Sequence, residues 1–217
     1  MGIKRARWIL LVGALGCTAL GETLPPGANA APCPEDTRLR VSRSNDVRMA
    51  WCETRDRRVE GWRGSWWPGG QRAMFGHYHD GFPDGVVTTW HRNGARRLQA
   101  RWRAGRREGR SAEWYESGQL SSTVVFRQGV RHGSQLDYYP TGQPMSLASF
   151  RDGMQHGPVV AWYTDGTTQV EGLYDRGRAD GRWGYWDASG ALDTVIEWQD
   201  GVEVPARDRA LRPSTGG

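Results

Sequence analysis

A glycine returns to the same three places in every 24-residue stretch between Gly61 and Gly201, without a single insertion or deletion. The first place is Gly61, Gly85, Gly109, Gly133, Gly157 and Gly181; the tenth is Gly70, Gly94, Gly118, Gly142, Gly166 and Gly190. The twenty-first is Gly81, Gly105, Gly129, Gly153, Gly177 and Gly201. Together they account for 18 of the 30 glycines, so the high glycine content reflects a repeat and not low-complexity disorder. Six consecutive units of fixed length constrain the chain to a repetitive array in which each unit packs on its neighbours.

Aromatic residues hold two further registers. The sixth is Trp66, Trp90, Trp114, Tyr138, Trp162 and Trp186; the eighteenth is Tyr78, Trp102, Phe126, Phe150, Tyr174 and Trp198. Between them a polar cluster closes on glycine, as in His91-Arg92-Asn93-Gly94, which is what a hairpin needs where φ must be positive. A second glycine-bracketed turn follows, as in Gly129-Val130-Arg131-His132-Gly133. Positions 14, 16 and 18 alternate with polar neighbours: Leu98, Ala100 and Trp102 are interleaved with Gln99, Arg101 and Arg103. Period-2 alternation predicts strands with one face carrying an aromatic and a small residue and the other facing water. Glycine turns interrupt any helix before it could reach an ordinary length. The expected fold is all-β, an elongated single-sheet array of tandem β-hairpins.

Both ends of the array are readable. Residues 47–54 resemble half a preceding unit, with Cys52 at the sixteenth position. Pro205 falls where a seventh register glycine would be and cannot donate to a ladder, so the repeats should stop there. The division expected is a leader over 1–30, a cap segment over 31–57, six repeats over 58–204 and a disordered tail over 205–217.

The leader reads as an export signal. Lys4, Arg5 and Arg7 form a basic stretch before the short apolar run Trp8 to Leu15, too short to span a bilayer. Two processing outcomes compete: cleavage after Ala28-Asn29-Ala30, or a lipobox at Ala14-Leu15-Gly16-Cys17 that ends the leader at residue 16 and lipidates Cys17. Either places the chain outside the cytoplasm, in the periplasm, anchored to an outer membrane or secreted. Cys33 and Cys52 are then an even pair that most simply forms one disulfide in an oxidising compartment; the alternative is two buried thiols. Without the leader the chain holds 26 basic and 23 acidic residues, a net of +3. So even a balance gives no case for nucleic acid, which asks for a clustered basic face.

The pattern Gly-x4-Trp-Tyr-x2-Gly-x7-aromatic-x2-Gly resembles the bacterial variant of the MORN repeat. Clear copies are Gly109 to Gly118 and Gly157 to Gly166. The resemblance covers residues 58–204 and implies successive hairpins in a twisted sheet. Proteins with this variant are often labelled antitoxin-like, of the YwqK type, and eukaryotic relatives are discussed as protein scaffolds and phospholipid binders. Fold alone does not fix function.

Candidate sites are few. His77 and His79 flank Tyr78, with Asp80 and His91 nearby, an arrangement that could hold a metal but reads more simply as solvent-facing histidines; no metal or cofactor is expected. His132 and His156 fall in the turn register of Glu60, Asp84, Glu108 and Asp180. No nucleophile motif, phosphate loop or framed carboxylate pair appears, so no catalytic residue is expected and the protein is read as a non-enzyme. The seventh register, Trp67, His91, Tyr115, Tyr139, Tyr163 and Asp187, should stack into one row. If outward, it is a contact surface; alternatively it braces the next unit. Arg101, Arg103, Arg127 and Arg151 face outward. The functional expectation is an envelope scaffold binding a protein partner through its β-face, with a membrane-surface or antitoxin-like role as alternatives.

Overall fold

The computed structural model describes residues 32–44 and 47–205. The expected leader with its two processing sites and Cys17, and residues 206–217 of the expected tail, lie outside the described residues.

Glycine spacing of 24 becomes a hairpin per unit. β1 (Arg38–Ser44) and β2 (Val47–Glu53) make the first hairpin. The six units follow as β3 (Val59–Trp66) with β4 (Arg72–His79), β5 (Phe82–Trp90) with β6 (Arg96–Arg103), then the interrupted strand β7 (Arg106–Arg107) and β8 (Gly109–Trp114) with β9 (Leu120–Arg127). Next come β10 (Val130–Tyr138) with β11 (Pro144–Arg151), β12 (Met154–Trp162) with β13 (Thr168–Asp175), and β14 (Arg178–Trp186) with β15 (Leu192–Gln199). The two-residue β16 (Val202–Glu203) ends the sheet. All sixteen belong to one open antiparallel sheet in chain order, and no helix is present among the described residues. The all-β array of hairpins read from the sequence is the fold of the chain.

Two turn types alternate along the sheet. At the first, the Trp67 amide donates to the Gln71 carbonyl at 2.8 Å and the Gly70 amide to the Trp67 carbonyl at 2.8 Å, with Gly70 at φ +83°. That is a three-residue loop closed by a left-handed glycine. At the second, Asp80 and Gly81 both have positive φ, +51° and +84°, the backbone of a two-residue hairpin loop whose twist matches the strands. Here the Gly81 amide also donates at 2.9 Å to the carbonyl of Val59, the first residue of β3 just past the preceding turn. The same bond recurs at Gly105, Gly129, Gly153, Gly177 and Gly201, tying each turn to the one before it.

Register assigns the two faces. Ser65 opposite Met74 and Arg63 opposite Gly76 place positions 3, 5, 14 and 16 on one face; Gly64 opposite Phe75 and Trp62 opposite His77 place positions 2, 4, 15 and 17 on the other. On the first face three of the register-18 aromatics are roofed by arginines: Arg107 lies over Trp102 at 5.5 Å and Phe126 at 5.0 Å, and Arg131 over Phe150 at 5.2 Å. The second face is not the water-facing surface that alternation suggested. Trp66 lies against Gly64 on it, and Trp186 against Gly184, so the sixth-register indoles of the first and last units cover this face. Both faces of a single layer are therefore partly apolar, and the fully buried core is small and concentrated at the N-terminal end, around Ala50, Cys52, Trp62 and Trp66.

The N-terminal end differs from its sequence reading in two respects. It is a complete hairpin, β1 and β2, not half a unit. Its register is also slipped by one residue. Ala50 pairs with Gly64 at position 4 of its unit, where Phe75 pairs with Thr88 at position 4 of the next. Cys52 thus occupies the place of a seventeenth residue, not a sixteenth, and a one-residue slip turns a side chain to the opposite face. There Cys52 is bonded to Cys33, with 5.5 Å between Cα atoms, and both pack with Leu39 and Val41. The tethered segment does not cover the edge strand β1: Pro34 lies against Gly61, across β2 and β3.

Candidate binding surface

The seventh-register row forms a chain of braces. Tyr115 donates its hydroxyl to the Tyr138 carbonyl at 2.7 Å, Tyr139 to the Trp162 carbonyl at 2.8 Å, and Tyr163 to the Trp186 carbonyl at 2.9 Å. His91 makes the same reach with Nε2, 2.8 Å from the Trp114 carbonyl oxygen. Each acceptor is the sixth residue of the following unit, so of the two arrangements open in the sequence the geometry is the brace. The rings of Trp67, His91, Tyr115, Tyr139 and Tyr163 remain half-buried, neither free nor fully covered. Trp67 instead receives the guanidinium of Arg92 at 5.2 Å. Asp187, in the last unit, has no next unit to reach. Its carboxylate accepts from the Ser189 hydroxyl at 2.6 Å and the Ala191 amide at 3.0 Å, and these bonds hold its pKa below the ordinary aspartate value.

The second face carries an open trough near the C-terminal end. Pro158, Leu173, Trp186, Leu192 and Val195 line it, with Glu171 and Arg182 at its polar margin. Leu173 and Leu192 are about half exposed, at 49% and 54%. Sequence alternation missed this surface because positions 15 and 17 vary from polar to apolar between units; only the last units place Leu173 and Val195 there together. The four-residue offset between Trp186 and Gly190 gave no hint that the indole would lie back over Gly184.

A second exposed feature runs along the two-residue turns. Position 22 reads Phe82, Arg106, Val130, Met154, Arg178 and Val202. Its four apolar members are among the most exposed large hydrophobic residues of the described chain, Val202 most of all at 69%. The first five of the six side chains lean on the register glycine of the next turn, as Phe82 does on Gly105 and Met154 on Gly177. This column was legible in the sequence directly after each twenty-first glycine, but not its exposure, which the turn geometry decides.

The histidines do not converge. His77 packs edge-on to Phe75 at 5.9 Å, His91 serves the brace, and His79 Nδ1 lies 3.0 Å from Glu60 Oε1. Glu60 also accepts from the Asp80 amide at 2.9 Å. That bond, with the His79 contact, lowers the Glu60 pKa, while Glu60 raises that of His79. His132 Nδ1 stands 3.5 Å from Asp152 Oδ1 and His156 Nδ1 3.0 Å from Asp175 Oδ1, so these turn histidines face carboxylates across the seam. No cluster of three metal-ligating side chains occurs among the described residues. Arg101, Arg103, Arg127 and Arg151 are exposed.

The MORN repeat variant family matches residues 131–152, which run from β10 through β11 into the following turn. With the 24-residue hairpins on both sides, this supports a MORN-type repeat protein. No curated protein matches the chain.

Proposed function

We propose that the chain is a non-catalytic scaffold of the cell envelope that binds a protein partner through the second face of its sheet. The observation that carries this reading is the open trough of Pro158, Leu173, Trp186, Leu192 and Val195 on a sheet with no second layer among the described residues. A β-sheet ordinarily buries its apolar face against another layer. The roofed aromatics of the first face are already covered by arginines, so the second face has the larger apolar surface to gain from a partner. An aromatic and aliphatic pocket with a charged margin is the composition of an interface anchor site. The partly covered rings of Trp67, Tyr115, Tyr139 and Tyr163 with His91 offer a further contact strip. The leader-like residues 1–30 and the bonded cysteine pair support a place outside the cytoplasm.

The test is crosslinking of the tagged full chain in its native envelope, beside Leu173→Glu and Pro158→Glu variants. Capture of one specific protein by the parent, lost from the folded variants, supports the reading. Equal capture by all three chains removes the second face from the role.

A membrane-surface role is the second reading, and the position-22 column favours it. Phe82, Val130, Met154 and Val202 interspersed with Arg106 and Arg178 combine apolar tips with cations suited to anionic headgroups. Salt-sensitive flotation with anionic vesicles, abolished by Val130→Asp with Met154→Asp, would select it.

A further inference from the structure

The near-even charge of the chain conceals a segregation along the array. Residues 96–131 hold nine arginines and three glutamates, whereas residues 187–205 hold five acids and no basic residue. Much of the basic excess lies on the second face. Positions 2, 4, 15 and 17 belong to that face, and positions 19 and 22 join them. Strand alternation carries Arg101 and Arg103 to one side, and Arg103 stands directly opposite Arg106. From Val86 to Met154 these six positions hold Arg101, Arg103, Arg106, Arg110, Arg127 and Arg151 and no acid; the first carboxylate in them is Glu171.

All six side chains are exposed. Elsewhere arginines are engaged: Arg40 pairs with Glu53 and Arg58 with Asp80, and Arg107 and Arg131 lie over aromatic rings. None of the six makes an ion pair among the described residues. Glu108, between Arg106 and Arg110 in the chain, is occupied at the next turn, where it accepts from the Gln128 amide at 2.8 Å. Arg103 opposite Arg106 sets two like charges side by side, which destabilises a strand pair until an anion lies between them. Each of the other four faces an apolar residue: Arg101 faces Val86, Arg110 faces Val125, Arg127 faces Val130 and Arg151 faces Met154. Val86, Val130 and Met154 are about half exposed. Cations interleaved with apolar side chains call for a ligand that carries both acids and apolar groups.

The strip crosses four strand steps, from β6 to β11. At the usual strand spacing that is about 19 Å, the reach of about six residues of extended chain. Neighbouring strands of a sheet are rotated by about 20–25°, so over that span the face turns by about 80–100°. A planar bilayer touches only part of such a surface, whereas a flexible chain follows it. The strip also shares its face with the trough between β12 and β15, so one protein can reach both.

We propose that this strip binds an acidic segment of a partner protein. Its carboxylates take the guanidinium forks of Arg101, Arg103, Arg106 and Arg110, and its apolar side chains rest on Val86, Val125 and Val130. This rests on the second face being the partner-binding surface, and it gives that partner its chemistry.

Fluorescence anisotropy of the full chain with a labelled peptide of alternating glutamate and valine is the test. The parent should bind it, and less tightly as salt rises. Arg103→Glu with Arg106→Glu should weaken binding by about tenfold or more through like-charge juxtaposition. The milder Arg103→Gln with Arg106→Gln should act in the same direction. A charge-matched reversal at the N-terminal end, Arg38→Glu with Arg55→Glu, should leave binding unchanged. Equal weakening by that control overturns the proposal. So does a parent that binds inorganic polyphosphate or phosphatidylglycerol vesicles but not the peptide, or that binds none of the three. Crosslinking in the native envelope separates the acidic segment from the reading beneath it. A partner lost from both Leu173→Glu and the Arg103, Arg106 double reversal supports the two together. A partner lost from Leu173→Glu but kept by the double reversal overturns the acidic segment and leaves the second face in its role. Capture unaffected by either variant overturns both.

Discussion

The Tyr139 hydroxyl donates to the Trp162 main-chain carbonyl at 2.8 Å, across the seam between two units. The repeat of that bond at Tyr115 and Tyr163 means that the seventh register links neighbours in addition to the strand ladder. A neutral hydrogen bond of this kind contributes about 1 kcal/mol net. Tyr139→Phe should therefore lower the unfolding free energy by about that amount in urea titration. In a quasi-one-dimensional array the loss should also fall on the seam, reducing cooperativity between its two sides. A Phe variant as stable as the parent would show that the hydroxyl is satisfied equally well by water.

What the sequence revealed and what it hid divide along local and non-local lines. Period and turn glycines act within a few residues, so the hairpins, their lengths and both turns were legible. Facing was legible only in part. Positions 14, 16 and 18 do share one face, but Trp66 reaches back over Gly64 past an irregular pairing at Ser65 and Trp66, which alternation cannot represent. The slip that moves Cys52 to the other face arises at the connection from β2 to β3. There the Thr54 amide donates to the Arg58 carbonyl at 2.9 Å around a three-residue loop, one residue longer than the two-residue loops of the later units. The trough was hidden for a further reason: it depends on side chains from four strands, β12 to β15, brought together by register.

The bond between Cys33 and Cys52 closes a loop over 19 positions. In the chain-entropy account such a crosslink stabilises by about 3 kcal/mol. It lies at the most deeply buried part of the sheet, so its loss should be felt locally. Reduction, or Cys33→Ser with Cys52→Ser, should raise amide exchange in β2 and β3 while β10 to β13 stay protected. Uniform loss of protection along the whole array would contradict a local role.

The Glu60 and His79 pair sets opposite pH limits on one turn. Backbone bonding from Asp80 and the contact with His79 depress the Glu60 pKa, so its contribution is present above the ordinary glutamate value and lost as pH falls through the lowered one. Glu60 raises the His79 pKa, so that contribution is complete below the ordinary histidine value and lost as pH rises through the raised one. The clasp should be tightest between the two ordinary values, in mildly acidic solution. An NMR titration should find His79 above the usual histidine range in the parent and returned toward it in Glu60→Gln. An unchanged His79 titration in that variant would dissociate the two groups.

The twentieth residue of every unit sits in the left-handed region whether or not its chemistry suits it. Ala104 is held at φ +46° immediately before Gly105. For a residue with a Cβ that conformation costs about 1–2 kcal/mol. The turn is nonetheless retained because the Gly105 amide must reach the Pro83 carbonyl, 3.0 Å away at the start of β5. Ala104→Gly removes the steric cost but adds freedom to the unfolded chain, which offsets about half of it. The net expectation is a gain of about 0.5–1 kcal/mol in denaturant unfolding. Gly105→Ala should act in the opposite direction and by more. At φ +76° a new Cβ is strained, and it would stand 2.9 Å from the Phe82 ring. Since Phe82 belongs to the exposed position-22 column, the ring can swing away, leaving the backbone strain as the larger part of the loss. Restoring the parent's stability by combining Gly105→Ala with Phe82→Ala would reverse that ranking and make the ring contact the dominant cost.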